Sequence, residues 1–322
     1  MTRQTARWAR VLLWVVPALW SCNYLIARAA DGVIAPHLLA TGRWVLAALL
    51  MLPFVGQGLW RRRAALRTEW KQLLVLGALG MWICGAWVYI GGQNTTSTNM
   101  ALIYAVTPIG IAVFGARLLH EPMRGRQWLG VGLALLGLLI VIAKGDVQVL
   151  LAVRFNRGDL WIVAASISWV AYSVLLRHWP SQMGPGERLV AIIAGGLVLL
   201  LPSTLAEALL LPSPALGWQA LGLVLAAAVL PGALSYGAYS FLQRELGAAR
   251  TALMLYLTPV YAPLMAWVLL GEVPGWYHAR GRTVDPAQHR AGHPKLKLHS
   301  RKHFRGGWQE GQTGGMRSIW PG

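Results

Sequence analysis

The chain has 322 residues, of which 56% are hydrophobic and 12% charged, with 17 Trp. Soluble domains carry roughly 25% charged residues, so this composition and a mean hydropathy of +0.50 exclude them and make lipid the solvent. The formal net charge of +18 invites a nucleic-acid partner. No nucleic-acid-binding motif accompanies it, and residues 273–322 alone hold nine Lys/Arg against two acids.

A membrane-crossing helix needs roughly 20 mostly apolar residues, and nine such stretches are expected. They lie near 8–27, 37–56, 72–91, 99–117, 127–143, 159–176, 188–206, 217–242 and 250–270. The gaps are short, so residues 1–272 read as one helical bundle whose backbone bonds close within each helix. Basic residues before the first span and Ala27-Arg28-Ala29 after it mimic a secretory signal. The recurrence of Trp20 and Arg28 further along the chain argues for retention of that helix.

A cytoplasmic N-terminus places fifteen Lys/Arg on one side and four on the other, with Arg43 inside a span. The bias fixes the expected orientation as N-terminus in.

The chain also repeats. Ala101-Leu102, Thr107-Pro108 and Glu121 recur 151 positions later as Ala252-Leu253, Thr258-Pro259 and Glu272. At an offset of 149, Trp20 matches Trp169, Asn23 matches Tyr172 and Arg28 matches Arg177. Five spans in the first unit make the second start from the opposite face, so the fold expected is an inverted repeat, all-α and integral to the membrane, with a site near the midplane. The boundaries expected are 8–143 for the first repeat, 159–272 for the second and 273–322 for a basic, disordered tail. The second unit lacks a fifth span: nine helices are recognisable and a tenth is missing.

Three features could serve a solute. Arg43 lies a third of the way into the second span, where an ionisable group either faces a cavity or snorkels to the interface. Polar and aromatic residues at i, i+3 spacing share one helix face: Trp20 with Asn23, Tyr104 with Thr107, Trp169 with Tyr172, and Tyr236 with Tyr239, while Tyr256 lies near Thr258. Such a lining suits a small amphipathic solute; chance pairing or an interfacial belt is the plainer alternative. Pro17, Pro108, Pro231, Pro259 and Pro263 fall within spans, and Pro108 and Pro259 occupy equivalent positions as candidate hinges or static kinks.

The absences are informative too. There is no phosphate-binding glycine loop; Gly130, Gly132 and Gly137 sit within the fifth span, where small residues permit close packing. No acid lies mid-span, the His residues lack metal-site spacing, and Cys22 and Cys84 lie in spans of opposite direction, so no metal, cofactor, disulfide or enzyme chemistry is expected.

Trp20-Ser21-Cys22-Asn23-Tyr24, Arg43-Trp44, Met100 through Thr107-Pro108 to Glu121-Pro122, and Leu246-Gly247-Ala248-Ala249-Arg250 through Thr258-Pro259 to Gly271-Glu272 resemble the paired EamA domains of the drug/metabolite transporter superfamily. The resemblance covers residues 8–280. It implies ten helices in two inverted five-helix units, a bacterial inner membrane, and export or exchange of amino acids and other small metabolites. The departure is at the end, where Trp276-Tyr277-His278 resembles the approach to a tenth helix that does not follow. A one-base shift of reading frame near residue 280 accounts for that: codons for Val284-Asp285-Pro286, read one base later, can encode Leu-Ile-Leu.

The reading is therefore a metabolite exporter working by alternating access, its cavity lined by Trp20, Asn23, Arg43, Tyr104, Thr107, Trp169, Tyr172, Tyr236 and Tyr256. Arg43 would neutralise a carboxylate. The alternatives are a lipid-linked sugar or drug carrier of the same superfamily, or a nonfunctional or regulatory membrane protein. Its partners are a small solute and the bilayer, with a homodimer left open and nucleic acid excluded.

Overall fold

The computed structural model describes residues 3–95, 97–120, 124–143, 148, 151, 154–212, 214, 216–258 and 261. The expected lost tenth helix, the tail and its frameshift, and Glu121, Pro259, Pro263 and Glu272 fall outside the described residues.

Every described element is a helix. They are α1 (Arg3–Ala30), α2 (Pro36–Arg61), α3 (Arg63–Asn94), α4 (Ser97–Ala105), α5 (Thr107–Leu118), α6 (Gly125–Ala143), α7 (Arg157–His178), α8 (Pro185–Leu210), α9 (Trp218–Leu246) and α10 (Ala248–Leu257), whose last turn is 3-10. Among the described residues six of these, α1, α2, α3, α7, α8 and α9, are long and apolar enough to cross a membrane. The fourth expected span is described as two segments, α4 and α5, that meet at a turn at Val106. Pro108 lacks an amide hydrogen and cannot continue the ladder through that turn. The fifth span corresponds to α6, and α10 supplies the described start of the ninth.

Helix ends are set locally. Pro36 and Pro185 open α2 and α8 at the first turn, where a missing N–H costs nothing. Asn156 caps α7 in a reciprocal box: its Oδ1 accepts from Gly158 N at 2.8 Å, and Asp159 Oδ2 accepts from Asn156 N at 2.6 Å. Asn99 Nδ2 donates to the same carboxylate at 2.9 Å, which ties α4 to the start of α7.

Two helices depart from α geometry at matching places. Ala78–Trp87 within α3 and Ala228–Leu234 within α9 are π-helical, and their first residues stand 150 positions apart. Such bulges free carbonyls from the ladder, and side chains take them up. Ser168 Oγ donates to Leu79 O at 2.7 Å, Tyr236 OH to Gly80 O at 3.2 Å and Trp44 Nε1 to Met81 O at 3.2 Å. In α9, Ser235 Oγ donates to Leu230 O and Arg43 Nη2 to Pro231 O, both at 2.8 Å. Pro231 explains the second bulge; the first contains no proline.

The second helices of the two repeats, α2 and α8, are both 26 residues long and lie antiparallel. At one end Glu207 of α8 receives the backbone N–H of His37 at 2.9 Å and of Leu38 at 3.3 Å, and pairs with His37 Nδ1 at 3.0 Å. At the other end Glu187, which caps α8 through Gly184 N at 2.8 Å, pairs with Arg62. Each acid meets a helix N-terminus, Glu207 that of α2 and Glu187 that of α8, where the dipole and the unpaired amides favour a carboxylate.

Close helix packing falls on other glycines than the sequence indicated. A Cβ at Gly195 would stand 2.7 Å from Leu73 O, and one at Gly196 would stand 2.9 Å from Gly77 O, so α3 and α8 meet backbone to backbone. Among the described residues nothing stands within 4 Å of where a Cβ would go on Gly130, Gly132 or Gly137 in α6, so the close packing expected of them is not found there.

Candidate functional site: an aromatic cluster around a buried arginine

The i, i+3 faces read from the sequence converge. Trp20 of α1, Trp169 and Tyr172 of α7, and Tyr236 and Tyr239 of α9 form one ring cluster with Trp44 of α2. Trp20 meets the Trp169 ring edge-on at 5.3 Å and lies 5.2 Å from Tyr239. Trp169 stacks on Tyr172 at 5.1 Å, and Tyr236 meets Trp44 edge-on at 4.8 Å. These centroid separations are those that aromatic quadrupoles favour.

Arg43 is 3% exposed, so it is buried within the bundle and does not snorkel to the interface. Its Nη1 donates to Tyr89 OH at 3.3 Å and its Nη2 to Pro231 O at 2.8 Å; the guanidinium lies 4.5 Å from the Trp44 ring centroid and 5.7 Å from that of Tyr236. Nε has no partner, and among the described residues no carboxylate pairs with this cation. A buried charge without a counter-ion is costly. Ring faces and neutral acceptors offset that cost in part and leave the charge itself uncompensated.

Asn23 joins through Tyr89, whose hydroxyl donates to Asn23 Oδ1 at 2.7 Å. Tyr104 reaches the site through Cys84, which lies in the α3 bulge within electrostatic range of Arg43 and hydrogen-bonds Tyr104. Cys22 and Cys84 are free thiols. Thr107 is buried and shares a 2.7 Å hydrogen bond with Ser166 of α7. Tyr256 lies elsewhere: it packs with Ala105 and Val131 in a second, smaller cluster of its own, its hydroxyl unpartnered. Pro108 stands at the helix break, and Pro259 is outside the described residues.

Several contributors were not singled out from the sequence. Trp44, which the sequence offered only within the Arg43-Trp44 family motif, and Tyr89 complete the Arg43 site, and Ser168 and Gly80 shape the bulge against which Tyr172 packs; a Cβ on Gly80 would stand 2.7 Å from the Tyr172 ring. The repeat held a signal for Tyr89, since it falls 150 positions before Tyr239.

The EamA-like transporter family matches the chain twice, over residues 7–143 and 156–282. The uncharacterised transporter YyaM of Bacillus subtilis is 26% identical over 77% of this chain and 81% of its own length. The uncharacterised inner membrane transporter YedA of Escherichia coli is 27% identical over 81% of this chain and 82% of its own. An S-adenosylmethionine/S-adenosylhomocysteine transporter of Chlamydia trachomatis is 23% identical over 85% of this chain and 86% of its own. A crystal structure with 20% identity superposes with a TM-score of 0.66 over 83% of this chain and 89% of that one, so the fold is shared. Two copies of one transporter pattern, on a chain whose described residues hold six helices able to cross a bilayer, identify a multi-pass membrane transporter and not an enzyme: the chain belongs to the EamA-like transporter family.

Proposed function

We propose that the protein exports or exchanges small metabolites bearing a carboxylate, amino acids foremost, by alternating access at the aromatic cluster. Arg43 carries the reading: it is a buried cation with no carboxylate partner among the described residues, facing two ring faces. A solute carboxylate would supply the missing charge, and the rings of Trp20, Trp169 and Tyr236 would take the apolar remainder. A solute joining an α-amino acid to a flat ring system, as the name of the chlamydial relative describes, has this chemistry. The cavity lining would be Trp20, Asn23, Arg43, Tyr104, Thr107, Trp169, Tyr172 and Tyr236, without Tyr256, which sits in the separate cluster with Ala105 and Val131.

The setting would be a bacterial inner membrane, as in the name of the Escherichia coli relative, with the N-terminus cytoplasmic from the fifteen-to-four distribution of Lys and Arg. The complete bundle would be ten helices in two inverted five-helix repeats with boundaries at 8–143 and 159–272. The antiparallel α2 and α8 support the inversion, because equivalent helices of an inverted repeat run in opposite directions. The test is efflux of a panel of amino acids from cells expressing the chain, beside cells expressing Arg43→Ala at equal membrane abundance. Efflux of an amino acid by the parent and its loss in the variant is the expected result; equal efflux by both would discard Arg43 as the solute's counter-ion.

A further inference from the structure

A chamber of about 230 Å³ lies where α7 ends and α8 begins, with α9 as its third wall. Its polar lining consists of Arg177, Ser181, Arg188, Ser240, Gln243 and Arg244. Arg188 is held in that wall because its two terminal nitrogens donate to Leu176 O in the last turn of α7 at 2.9 Å and to Trp179 O just beyond it at 2.5 Å. Its Nε has no partner, nor does Gln243 Oε1. Gln243 Nε2 donates at 3.0 Å to Tyr239 OH, which belongs to the ring cluster. One side chain therefore stands on the chamber wall and one hydrogen bond from the aromatic site.

The nearby acids are already engaged. Glu69 receives the Ser181 hydroxyl at 2.6 Å and Gln182 N at 3.1 Å, Glu187 pairs with Arg62, and Glu245 lies 3.5 Å from Arg244 Nε. Three guanidinium groups thus line a space that, among the described residues, no side-chain carboxylate lines. That arrangement favours an anionic group, which guanidinium binds by charge and by directed N–H donors.

We propose that this chamber is an anion-binding vestibule, in which Arg188 and Arg244 take the carboxylate or phosphate of a solute and Gln243 Oε1 accepts a hydrogen bond from its ammonium or hydroxyl group. Anion binding stands on the chamber alone; its role as the cytoplasmic antechamber of the ring cluster rests on the transport reading above. The same chemistry could be met by an anionic lipid headgroup, because Arg177 and Arg244 are exposed at the rim.

The test uses the full chain in phosphatidylcholine nanodiscs, carrying 5-fluorotryptophan, with the Trp179 resonance assigned through Trp179→Phe; Trp179 lines the chamber. Acetate and inorganic phosphate are titrated as probes. A saturable shift of that resonance is expected, with the apparent Kd raised tenfold or more by Arg188→Gln. Because Arg188 also holds the end of α7, Gln243→Glu is the second variant: it keeps the side-chain shape, adds a negative charge at the wall and should weaken both anions at least as much. No saturable shift, or a shift that neither variant weakens, overturns the proposal. So does a shift produced by adding phosphatidylglycerol to the discs and not by free anions, which makes the chamber a lipid site. The two readings fail separately. Arg43-dependent efflux without anion binding at Trp179 removes the vestibule and leaves transport, whereas anion binding in a chain with no efflux removes transport and leaves the anion site.

Discussion

Tyr89 and Tyr239 stand 150 positions apart and perform the same act: each uses its hydroxyl to tie the third helix of its repeat to the first. Tyr89 donates to Asn23 at 2.7 Å and Tyr239 to Ser173 at 2.8 Å, and Asn23 and Ser173 are themselves 150 positions apart. The symmetry ends at the next atom. Tyr89 OH accepts from Arg43 at 3.3 Å, whereas Tyr239 OH accepts from the neutral amide of Gln243 at 3.0 Å. A two-fold frame thus carries a one-sided charge, placing the cation in the first repeat and its ring faces in both.

These paired hydrogen bonds should contribute measurably to stability. Interhelical hydrogen bonds inside membrane proteins are worth about 0.6 kcal/mol on average and up to about 1.7 kcal/mol. Tyr89→Phe and Tyr239→Phe should each destabilise by an amount in that range, read by unfolding in mixed micelles. A double-mutant cycle of Tyr89→Phe with Asn23→Ala should show coupling of about 0.5 kcal/mol or more. Strict additivity would mean that the contact is geometric only.

Arg43 separates stability from function. Removing a buried cation that lacks a carboxylate partner relieves a desolvation cost, and replacement by an apolar side chain of similar length is often neutral or stabilising. Arg43→Met should therefore unfold at a temperature equal to or above the parent while losing solute transport. Arg43→Lys keeps the charge, but its ammonium cannot reproduce the planar fork that reaches Tyr89 and Pro231 together, and it should lose about tenfold in transport. A destabilised Arg43→Met would assign the residue a structural task.

The helix break at Val106 bears on the hinge proposal. If the break between α4 and α5 moves during turnover, Pro108→Ala should let the two segments join and slow exchange more than it weakens binding. Pro259→Ala, at the equivalent place, should behave alike. Counterflow and equilibrium binding on the same variants separate the two effects; parental exchange rates in both would make the prolines fixed kinks.

Composition and the repeat exposed the membrane class and the doubled unit, because both are properties of the whole chain. The ring cluster was legible from i, i+3 spacing wherever α-helical phase persists, as at Trp20 with Asn23 and Trp169 with Tyr172. It was less legible beyond Ala78, where a π-helical stretch without proline shifts the phase and brings Tyr89 under Arg43. The chamber at the end of α7 joins residues of three helices around Arg188, a proximity that no local pattern encodes. Glycine packing was misread for the same reason: whether a missing Cβ faces a neighbour depends on which helices meet.

The glycines provide a paired test of that packing. Gly195 and Gly196 press against the α3 backbone, so Gly195→Val or Gly196→Val cannot be absorbed by a side-chain movement and should prevent α3 and α8 from docking. Gly130→Ala and Gly137→Ala fall within α6 where a Cβ meets open space. There the exchange gains helix propensity, up to about 1 kcal/mol per position. Expression in membranes, fluorescence-detected size exclusion and thermal unfolding should show the α8 variants lost or aggregated and the α6 variants equal to or more stable than the parent. If Gly196→Val gave a monodisperse protein of parental stability, the backbone contact between α3 and α8 would be wrong; if Gly130→Ala and Gly137→Ala were severely destabilising, α6 would have a packing partner on that face.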